Sequence, residues 1–464
     1  MYQQYNKKIQ GKKQASKNHE FIFTILFNLI FHVKMYKYLI IHLHDCESVL
    51  LWRTCMRRVV ITGLGAASAM GLTLNEVEAT LRSGKSCVID CPEYKAHGFK
   101  SWVAAWLPDW DPTQYFDRKA LKFMGRASEF TSYAASAALK DSELDETDVR
   151  SDRCGCVVGC GEGSAFDMFE AAYAMEKHNN PRRIGLRVPR TMASSRSANI
   201  TMLIKNRGMS LGVSAACASG LVNIGYGFQV VKWGIQDVVF AGGGESCAWA
   251  GAAFFDAMGV LPSKFNDNPG AASRPFDKER NGFVMGEGGG VVIVEELEHA
   301  LNRDAPIYGE IVGYATNSDG GYSMVAPSHE GQANCMILAL QDANVGPGDI
   351  DYINTHGTST VTGDPSEIAA IKSVFRDNPP MISSTKSQIG HAIGAAGALE
   401  LVASMIMMKH SFVAPSINID NLDSACEYPN FITTMKEIEI NTLLTNNFGF
   451  GGSNATMIVK KFKE

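Results

Sequence analysis

The pattern of apolar and polar positions predicts a mixed α/β protein. From residue 56 onward, short apolar runs alternate with stretches in which apolar residues recur at helical spacing, as in proteins whose sheets are covered by helices. In the first part of the chain, the pattern predicts buried strands at 58–63, 154–159, 237–241 and 289–294, and helices at 128–140 and 221–233.

A second series of the same kind begins near residue 307. It predicts further strands at 351–354, 381–384 and 455–459, and helices at 331–343, 364–375 and 394–409. Two successive sets of strands and helices indicate a duplicated architecture, with halves at 56–305 and 306–464. Since no Pro/Ser-rich linker separates the halves, we expect them to pack as one unit.

Residues 1–55 differ from the rest of the chain. Their apolar segment, 21–33, is shorter than the roughly 20 residues of a membrane-spanning helix, and Lys34 and Lys37 interrupt its extension. The lysine-rich start resembles a signal peptide, but no small-x-small cleavage site follows. We expect Met56 to be the natural start and residues 1–55 to lie outside the fold, without stable membrane insertion. A membrane anchor and a cleaved leader are the alternatives.

Composition and charge exclude several classes of protein. The chain has 464 residues with 44 glycines and 16 prolines, which favours tight turns in a packed fold over a collagen-like or disordered chain. The net charge of −5 excludes a generally basic nucleic-acid binder. Residues 1–55 carry eight Lys and Arg against three acidic residues, a local charge of +5, so that the other 409 residues sum to −10.

The cysteines indicate a reducing compartment, and we expect a cytoplasmic protein. Their number, eleven, is odd, and they are scattered without the spacing of a disulfide framework. Only Cys154, Cys156 and Cys160 lie close together. Small buried thiols in a strand explain this group better than a zinc site, because no second ligand pair lies at a suitable spacing.

Two glycine-rich segments do not complete a cofactor-binding motif. The segment that begins at Gly63 and Gly65 follows a strand but lacks the third glycine and the acidic residue of a dinucleotide site. The segment 286–290 lacks the Lys-Ser/Thr of a phosphate-binding loop. The sequence therefore predicts neither a nucleotide cofactor nor a metal.

Four residues in turns rich in Gly, Ser, Thr and Ala carry the candidate chemistry. Cys217 precedes an amphipathic helix, whose positive N-terminal end would favour the nucleophilic thiolate. His356 ends a predicted strand, while Lys386 and His391 precede a small-residue helix. A cysteine for covalent capture, with neutral imidazoles as hydrogen-bond donors or bases, suits acyl transfer.

The chain from Met56 onward resembles the β-ketoacyl-[acyl-carrier-protein] synthases of the condensing-enzyme superfamily, which have the thiolase fold. The resemblance covers 409 of 464 residues. The motifs that carry it are Arg57-Arg-Val-Val-Ile-Thr-Gly-Leu-Gly65, Ser214-Ala-Ala-Cys217-Ala, Asp256-Ala-Met-Gly, Arg274-Pro-Phe-Asp277, Gly282-Phe-Val, His356-Gly-Thr-Ser-Thr, Lys386, Gly390-His391 and Asn446-Asn-Phe-Gly-Phe-Gly-Gly-Ser-Asn-Ala455. Segments 240–245 and 255–261 are most similar to the synthase I branch, with synthase II a close second.

The resemblance implies a fold, a reaction and partners. The fold is a five-layered α-β-α-β-α arrangement of two related halves, in a homodimer. Cys217 accepts an acyl chain from acyl carrier protein, and malonyl-carrier protein then loses CO₂ and attacks the thioester, which elongates a fatty acid by two carbons. His356 and His391 stabilise the developing enolate oxygen. No cofactor is implied beyond the phosphopantetheine of the carrier protein.

The resemblance also implies supporting residues around the nucleophile. Lys386 orients the site, paired with Glu367, and the backbone N–H groups of Cys217 and Phe448 form the oxyanion hole. Phe448 matches a gating residue. The expected substrate contacts are Thr358 and Thr360 for the phosphopantetheine arm, and Phe255 and the loop 161–166 for the acyl chain.

Acidic carrier proteins require a basic docking surface on the synthase. Lys119 and Lys122 match a docking patch of the family, and Arg182, Arg183 and Arg187 lie in a segment that extends it.

Related classes of protein fit the sequence less well. A degradative thiolase needs a second catalytic cysteine, and Cys426 lacks the expected glycines. Lys386 together with His391 argues against the initiating condensing enzymes, which use Cys-His-Asn. A non-catalytic subunit of the chain-length-factor type would lack Cys217. A polyketide ketosynthase remains an alternative.

Overall fold

The structure is a computed structural model that describes residues 56–321 and 323–463. The predictions for residues 1–55 fall outside the described residues. Within the described ranges, no helix combines the length and the apolar character that crossing a membrane requires.

The first half of the chain alternates strands and helices, as its apolar pattern predicts. Its strands are β1 (Val59–Ser68), β2 (Ile89–Asp90), β3 (Val103–Ala105), β4 (Cys154–Gly159), β5 (Ser210–Leu211), β6 (Val238–Glu245), β7 (Met285–Gly286) and β8 (Gly288–Glu296). Its helices are α1 (Leu74–Ser83), α2 (Pro92–Ala96), α3 (Arg118–Leu121), α4 (Arg126–Ser142), α5 (Glu146–Val149), α6 (Ala165–His178), α7 (Val188–Thr191), α8 (Ser195–Ile204), α9 (Ser219–Lys232), α10 (Trp249–Met258) and α11 (Leu297–Asn302).

The second half follows the same alternation. Its strands are β9 (Gly309–Ser318), β10 (Tyr352–Asn354), β11 (Met381–Ser383), β12 (Phe412–Val413), β13 (Lys436–Glu437), β14 (Thr442–Gly449) and β15 (Ser453–Lys460). Its helices are α12 (His329–Ala343), α13 (Gly363–Phe375), α14 (Lys386–Ile389) and α15 (Ala396–Lys409).

The main sheet repeats one topology twice. Its order is β11-β10-β14-β15-β9-β1-β8-β6-β4-β5. In each half, numbering the five strands in chain order gives the spatial order 3-2-4-5-1 from the outer edge to the centre. Strand pairing also repeats: the second strand is parallel to the third and fourth, and the fifth is antiparallel to both of its neighbours. The halves join where β1 pairs with β9.

Helices cover the sheet on both faces. Helices α4 and α8 pack on the strands of the first half, α12 and α13 pack on those of the second half, and α9 and α15 pack on each other and on strands of both halves. All residues of α15 except Lys409 are buried, which is expected for a helix that is apolar all round. Glycines allow the close packing: a Cβ on Gly397 would lie 2.8 Å from the backbone nitrogen of Leu221 on α9.

The structure also shows elements that the apolar pattern did not predict. Helices α6, α8 and α10 and strand β14 were all missed. Strand β14 ends in an Asn-Asn-Phe-Gly segment whose composition is typical of turns, but pairing with β10 and β15 buries it. The predicted strand at 154–159 coincides with β4, and the grouped cysteines in and after it are buried. The described residues contain no group of three side chains able to hold a metal ion.

Candidate active site

The nucleophile loop places Cys217 directly before α9. Ala216 has a positive φ of 48°, a conformation that side chains rarely adopt, so the chain turns sharply at this point. The turn is held by hydrogen bonds: the Ser219 hydroxyl accepts from the N–H of Ala215 at 2.8 Å and donates to the carbonyl of Ala216 at 2.6 Å. Cys217 is 7% exposed and lines a cavity of about 330 Å³.

The thiol of Cys217 is protonated at neutral pH. Burial raises its pKa to about 11, although the backbone N–H of Phe450 and the charge of Lys386 favour the thiolate. The helix end was expected to favour the thiolate, and nearby backbone N–H groups do so, but removal of the sulfur from water outweighs these positive groups.

Two histidines face this cavity from the second half. His356 follows β10 and His391 follows α14, and their ring centroids are 5.3 Å apart at 89°. Burial, together with the charge of Lys386, lowers the pKa of both rings well below the usual value, so both are neutral at pH 7. Within the described residues, Nδ1 of His356 and both ring nitrogens of His391 lack a hydrogen-bond partner. They are available to a ligand.

The predicted pairing of Lys386 with Glu367 is wrong. The Lys386 ammonium donates to the carboxylate of Glu400 on α15, and both side chains are fully buried. Glu367 instead accepts the backbone N–H groups of His356 at 2.8 Å and Gly357 at 2.7 Å. Glu367 therefore positions the histidine backbone, and Glu400, which sequence reasoning missed, holds the lysine.

Phe448 and Phe450 both lie beside the reactive residues. Phe448 lies within β14, opposite Asn454, and its ring contacts that of His356 at 5.8 Å between centroids. The second backbone N–H that favours a negative charge on Cys217 belongs to Phe450. Gly449 brings this loop to the nucleophile, since a Cβ on it would lie 3.2 Å from the nitrogen of Cys217. The oxyanion role expected for the N–H of Phe448 stays a prediction, and Phe450 is a second candidate for it.

The expected substrate-binding residues occupy different positions around the site. Thr358 and Thr360 line the cavity, with their hydroxyls 3.0 Å apart. Phe255 is not among the cavity-lining residues; it packs behind Phe283, 5.4 Å between centroids. The loop 162–166 lines a second cavity of about 500 Å³.

Asp364 shapes the loop that carries the threonines, and sequence reasoning missed it. One carboxylate oxygen accepts the N–H groups of Thr358 at 3.0 Å and Ser359 at 3.1 Å, while the other accepts that of Phe276 at 2.8 Å. Ser359 has a positive φ of 73°, and the buried carboxylate stabilises this strained turn. The signal in the sequence was an acidic residue four positions after Thr360, at the start of α13.

The basic residues expected to bind a carrier protein lie on the surface. Lys119, in α3, and Lys122, just after it, are both exposed, as are Arg182 and Arg183. Arg187 is engaged by Asp167 at 3.1 Å and Glu170 at 3.5 Å, so the structure does not leave it free for docking.

Sequence and structure comparisons relate the chain to known condensing enzymes. Residues 56–300 match the family described as "Beta-ketoacyl synthase, N-terminal domain", and residues 308–420 match "Beta-ketoacyl synthase, C-terminal domain". The 3-oxoacyl-[acyl-carrier-protein] synthase 1 of Haemophilus influenzae is 46% identical over 88% of this chain and all of its own. A synthase 2 of Coxiella burnetii is 37% identical over 87% of this chain and 99% of its own.

The fold is shared with a solved structure. A β-ketoacyl synthase from Burkholderia phymatum superposes with a TM-score of 0.83 at 35% identity, covering 88% of this chain and all of that one. The predicted thiolase-like fold class is confirmed.

Proposed function

The chain belongs to the β-ketoacyl synthase family, and we propose that it elongates acyl chains by decarboxylative condensation with malonyl-carrier protein in fatty acid synthesis. The observation that carries this proposal is one cavity lined by a cysteine and two buried, neutral histidines with free ring nitrogens. The identity with a synthase 1 is 46%, against 37% with a synthase 2, which favours the synthase I branch.

In the loading step, Cys217 takes an acyl group from its carrier thioester. Because the thiol pKa is about 11, the proton leaves as the sulfur attacks, and it passes to the sulfur of the departing carrier. The carbonyl oxygen of the tetrahedral intermediate accepts hydrogen bonds from the backbone N–H groups of Cys217 and Phe450. The carrier leaves as a thiol, which takes up the proton, and the acyl group remains as a thioester on Cys217.

In the condensation step, His356 and His391 act on the malonyl thioester. Loss of CO₂ leaves an electron pair that is delocalised onto the thioester oxygen, and a neutral imidazole N–H donates to that oxygen without a competing proton transfer. The carbanion carbon then attacks the acyl thioester and releases the Cys217 thiolate, which is reprotonated. Lys386, held by Glu400, lowers the histidine pKa values and so keeps both rings neutral.

The substrates arrive on the phosphopantetheine of acyl carrier protein, and we assign Thr358 and Thr360 to this arm because they line the cavity. No cofactor of the enzyme's own takes part in these steps. Lys119 and Lys122, exposed on and after α3, dock the acidic carrier.

Charge reversal tests the docking surface. We expect Lys119→Glu to raise KM for the carrier protein several-fold at low salt while kcat stays unchanged, because steering affects encounter rather than chemistry. Lys140→Glu, an exposed lysine on α4, is the matched control. Equal KM values for the two variants would show that Lys119 does not belong to the docking surface.

We further propose that the protein is cytoplasmic and forms a homodimer. Each chain would consist of two halves, 56–305 and 306–464. The repeated strand order supports the halves. The nine cysteines at described positions are all free, which fits a reducing compartment. Among the described residues, the edge strand β5 pairs on one side only, and Met202, on the helix α8 that packs against it, is 79% exposed, an apolar surface that a second copy can cover.

The deciding experiment is incubation with acyl-carrier protein followed by intact-mass analysis. The proposal requires an acyl adduct that Cys217→Ala abolishes. His356→Ala and His391→Ala are expected to keep the adduct and lose decarboxylation of malonyl-carrier protein. An adduct that survives in Cys217→Ala, or normal condensation in a histidine variant, would refute the corresponding role.

A further inference from the structure

A second cavity lies beside the nucleophile loop and is lined by several charged side chains. Its volume is about 500 Å³, and the residues that matter here are Glu162, Arg196 and Gly251. Glu162 follows β4, Arg196 belongs to α8, and Gly251 lies in the first turn of α10. None of these residues has a role in the condensation steps described above.

The loop that carries Glu162 packs directly on the nucleophile turn. The carbonyl of Gly161 accepts from the Ser214 hydroxyl at 3.0 Å, and a Cβ on Gly161 would lie 3.1 Å from the carbonyl of Ala216. Ala252, next to Gly251, belongs to the same apolar cluster as Cys217. The apolar cluster therefore extends from Cys217 to the residue next to Gly251, and Glu162 lies at its far side.

The Glu162 carboxyl lies where a side chain of residue 251 would otherwise be. A Cβ on Gly251 would stand 2.0 Å from Oε1 of Glu162 and 2.9 Å from its carboxyl carbon, so a side chain at residue 251 would displace the carboxyl from its present position. Within the described part of the chain, the Glu162 carboxyl forms no hydrogen bond. Its own backbone N–H, together with that of Gly161, donates to Glu245 at 3.2 Å and 2.6 Å, respectively.

Two neighbours of Glu162 also have unused hydrogen-bonding capacity. Glu245 is fully buried, and its Oε1 has no partner among the described residues. Arg196 is 1% exposed; its Nη2 donates to the carbonyl of Gly163 at 2.5 Å, but Nε and Nη1 have no described partner. We call Glu162, Glu245 and Arg196 the polar subsite. Buried groups of this kind are costly unless a ligand or water satisfies them.

The protonation state of Glu162 suits it to donate as well as accept. Burial, reinforced by the charge of Glu245 and opposed by that of Arg196, raises its pKa to about 8. At neutral pH the carboxyl is therefore mostly protonated and offers one O–H donor and one carbonyl acceptor.

We propose that Glu162, within the polar subsite, is a specificity-determining residue that selects acyl chains carrying a hydrogen-bonding group, such as a hydroxyl, over unsubstituted chains of the same length. This inference rests on the proposed function, because it requires an acyl chain on Cys217. A chain with a hydroxyl at the right distance forms hydrogen bonds with the polar subsite. A plain chain leaves the polar atoms of the subsite buried and unpaired.

The test compares matched pairs of acyl-carrier substrates, plain and ω-hydroxylated, from butanoyl to decanoyl. For each pair, kcat/KM of condensation and thioester formation on Cys217 are measured. We expect the wild type to prefer the hydroxylated substrate about tenfold at the lengths that reach the subsite. Glu162→Ala is expected to lose this preference and to gain activity with long plain chains. Glu162→Gln, which keeps a donor and an acceptor, is expected to retain the preference.

Two further variants guard against a general loss of folding. Gly251→Ala places a methyl group against the carboxyl and should also abolish the preference, with the carboxyl still present. Glu176→Ala, on the exposed face of α6, should keep the wild-type preference. The inference is overturned if the wild type shows no preference at any length, or if Glu162→Ala keeps it. A wild type that forms no thioester with any substrate would instead refute the proposed function.

Discussion

The ion pair between Lys386 and Glu400 gives the sharpest prediction about stability. Glu400→Leu removes the carboxylate that holds a fully buried ammonium group. Breaking a buried ion pair by removal of one partner costs about 3–5 kcal/mol, because the remaining charge has lost its compensation. Urea denaturation followed by circular dichroism at neutral pH measures the difference in stability between Glu400→Leu and the wild type.

Two controls separate the buried pair from other causes. Glu439→Ala removes the carboxylate of an exposed pair with Lys461 and should leave the urea midpoint nearly unchanged. The double variant Lys386→Met/Glu400→Leu removes both charges and should recover most of the loss. A deficit of Glu400→Leu below about 1 kcal/mol at neutral pH would refute the assignment of this pair as a buried, mutually dependent unit.

Three other measurements test the site and the core. Alkylation of Cys217 by iodoacetamide, followed by peptide mass mapping, should accelerate about tenfold per pH unit up to about pH 11, and a plateau near 9 would contradict the raised pKa. Decarboxylation of malonyl-carrier protein should show no ionisation near pH 6.5, because the lowered pKa values keep His356 and His391 neutral below that pH; a loss of rate centred there would contradict their neutrality. Gly65→Ala should lower the free energy of unfolding by about 1–3 kcal/mol or more, since its Cβ would lie 1.9 Å from a backbone oxygen of α4, while Gly321→Ala, in open space, should not.

Much of the fold could be predicted from the sequence because its strands are buried on both faces. The predicted runs 154–159 in β4 and 289–294 in β8 are apolar throughout, and such runs in a chain that alternates with helices are typical of strands in a covered sheet. The ends were less accurate: β1 was predicted to end at Gly63 but continues to Ser68 through small residues. Strand β14 was missed because its stability comes from pairing with distant strands.

Some members of the candidate site could be predicted from the sequence, and others could not. The reactive groups carried their own signal, since Cys217, His356 and His391 each lie in a turn of small and hydroxyl-bearing residues. The partner of Lys386 carried none, because Glu400 lies in the middle of an apolar helix. Glu162 likewise carried no signal in the sequence, because its proposed role depends on neighbours that are distant in the chain.

The alternation of strands and helices, and the kinds of side chain available for acyl transfer, could be predicted from the amino-acid sequence. These are local properties, since an apolar run or a turn composition is complete within a few residues. Three features could be known only from the folded chain: the carboxylate that holds Lys386, the backbone N–H that lies near Cys217, and the groups that are charged. Those outcomes depend on burial and on contacts between residues far apart in the chain, and burial is what kept the Cys217 thiol protonated and both histidines neutral.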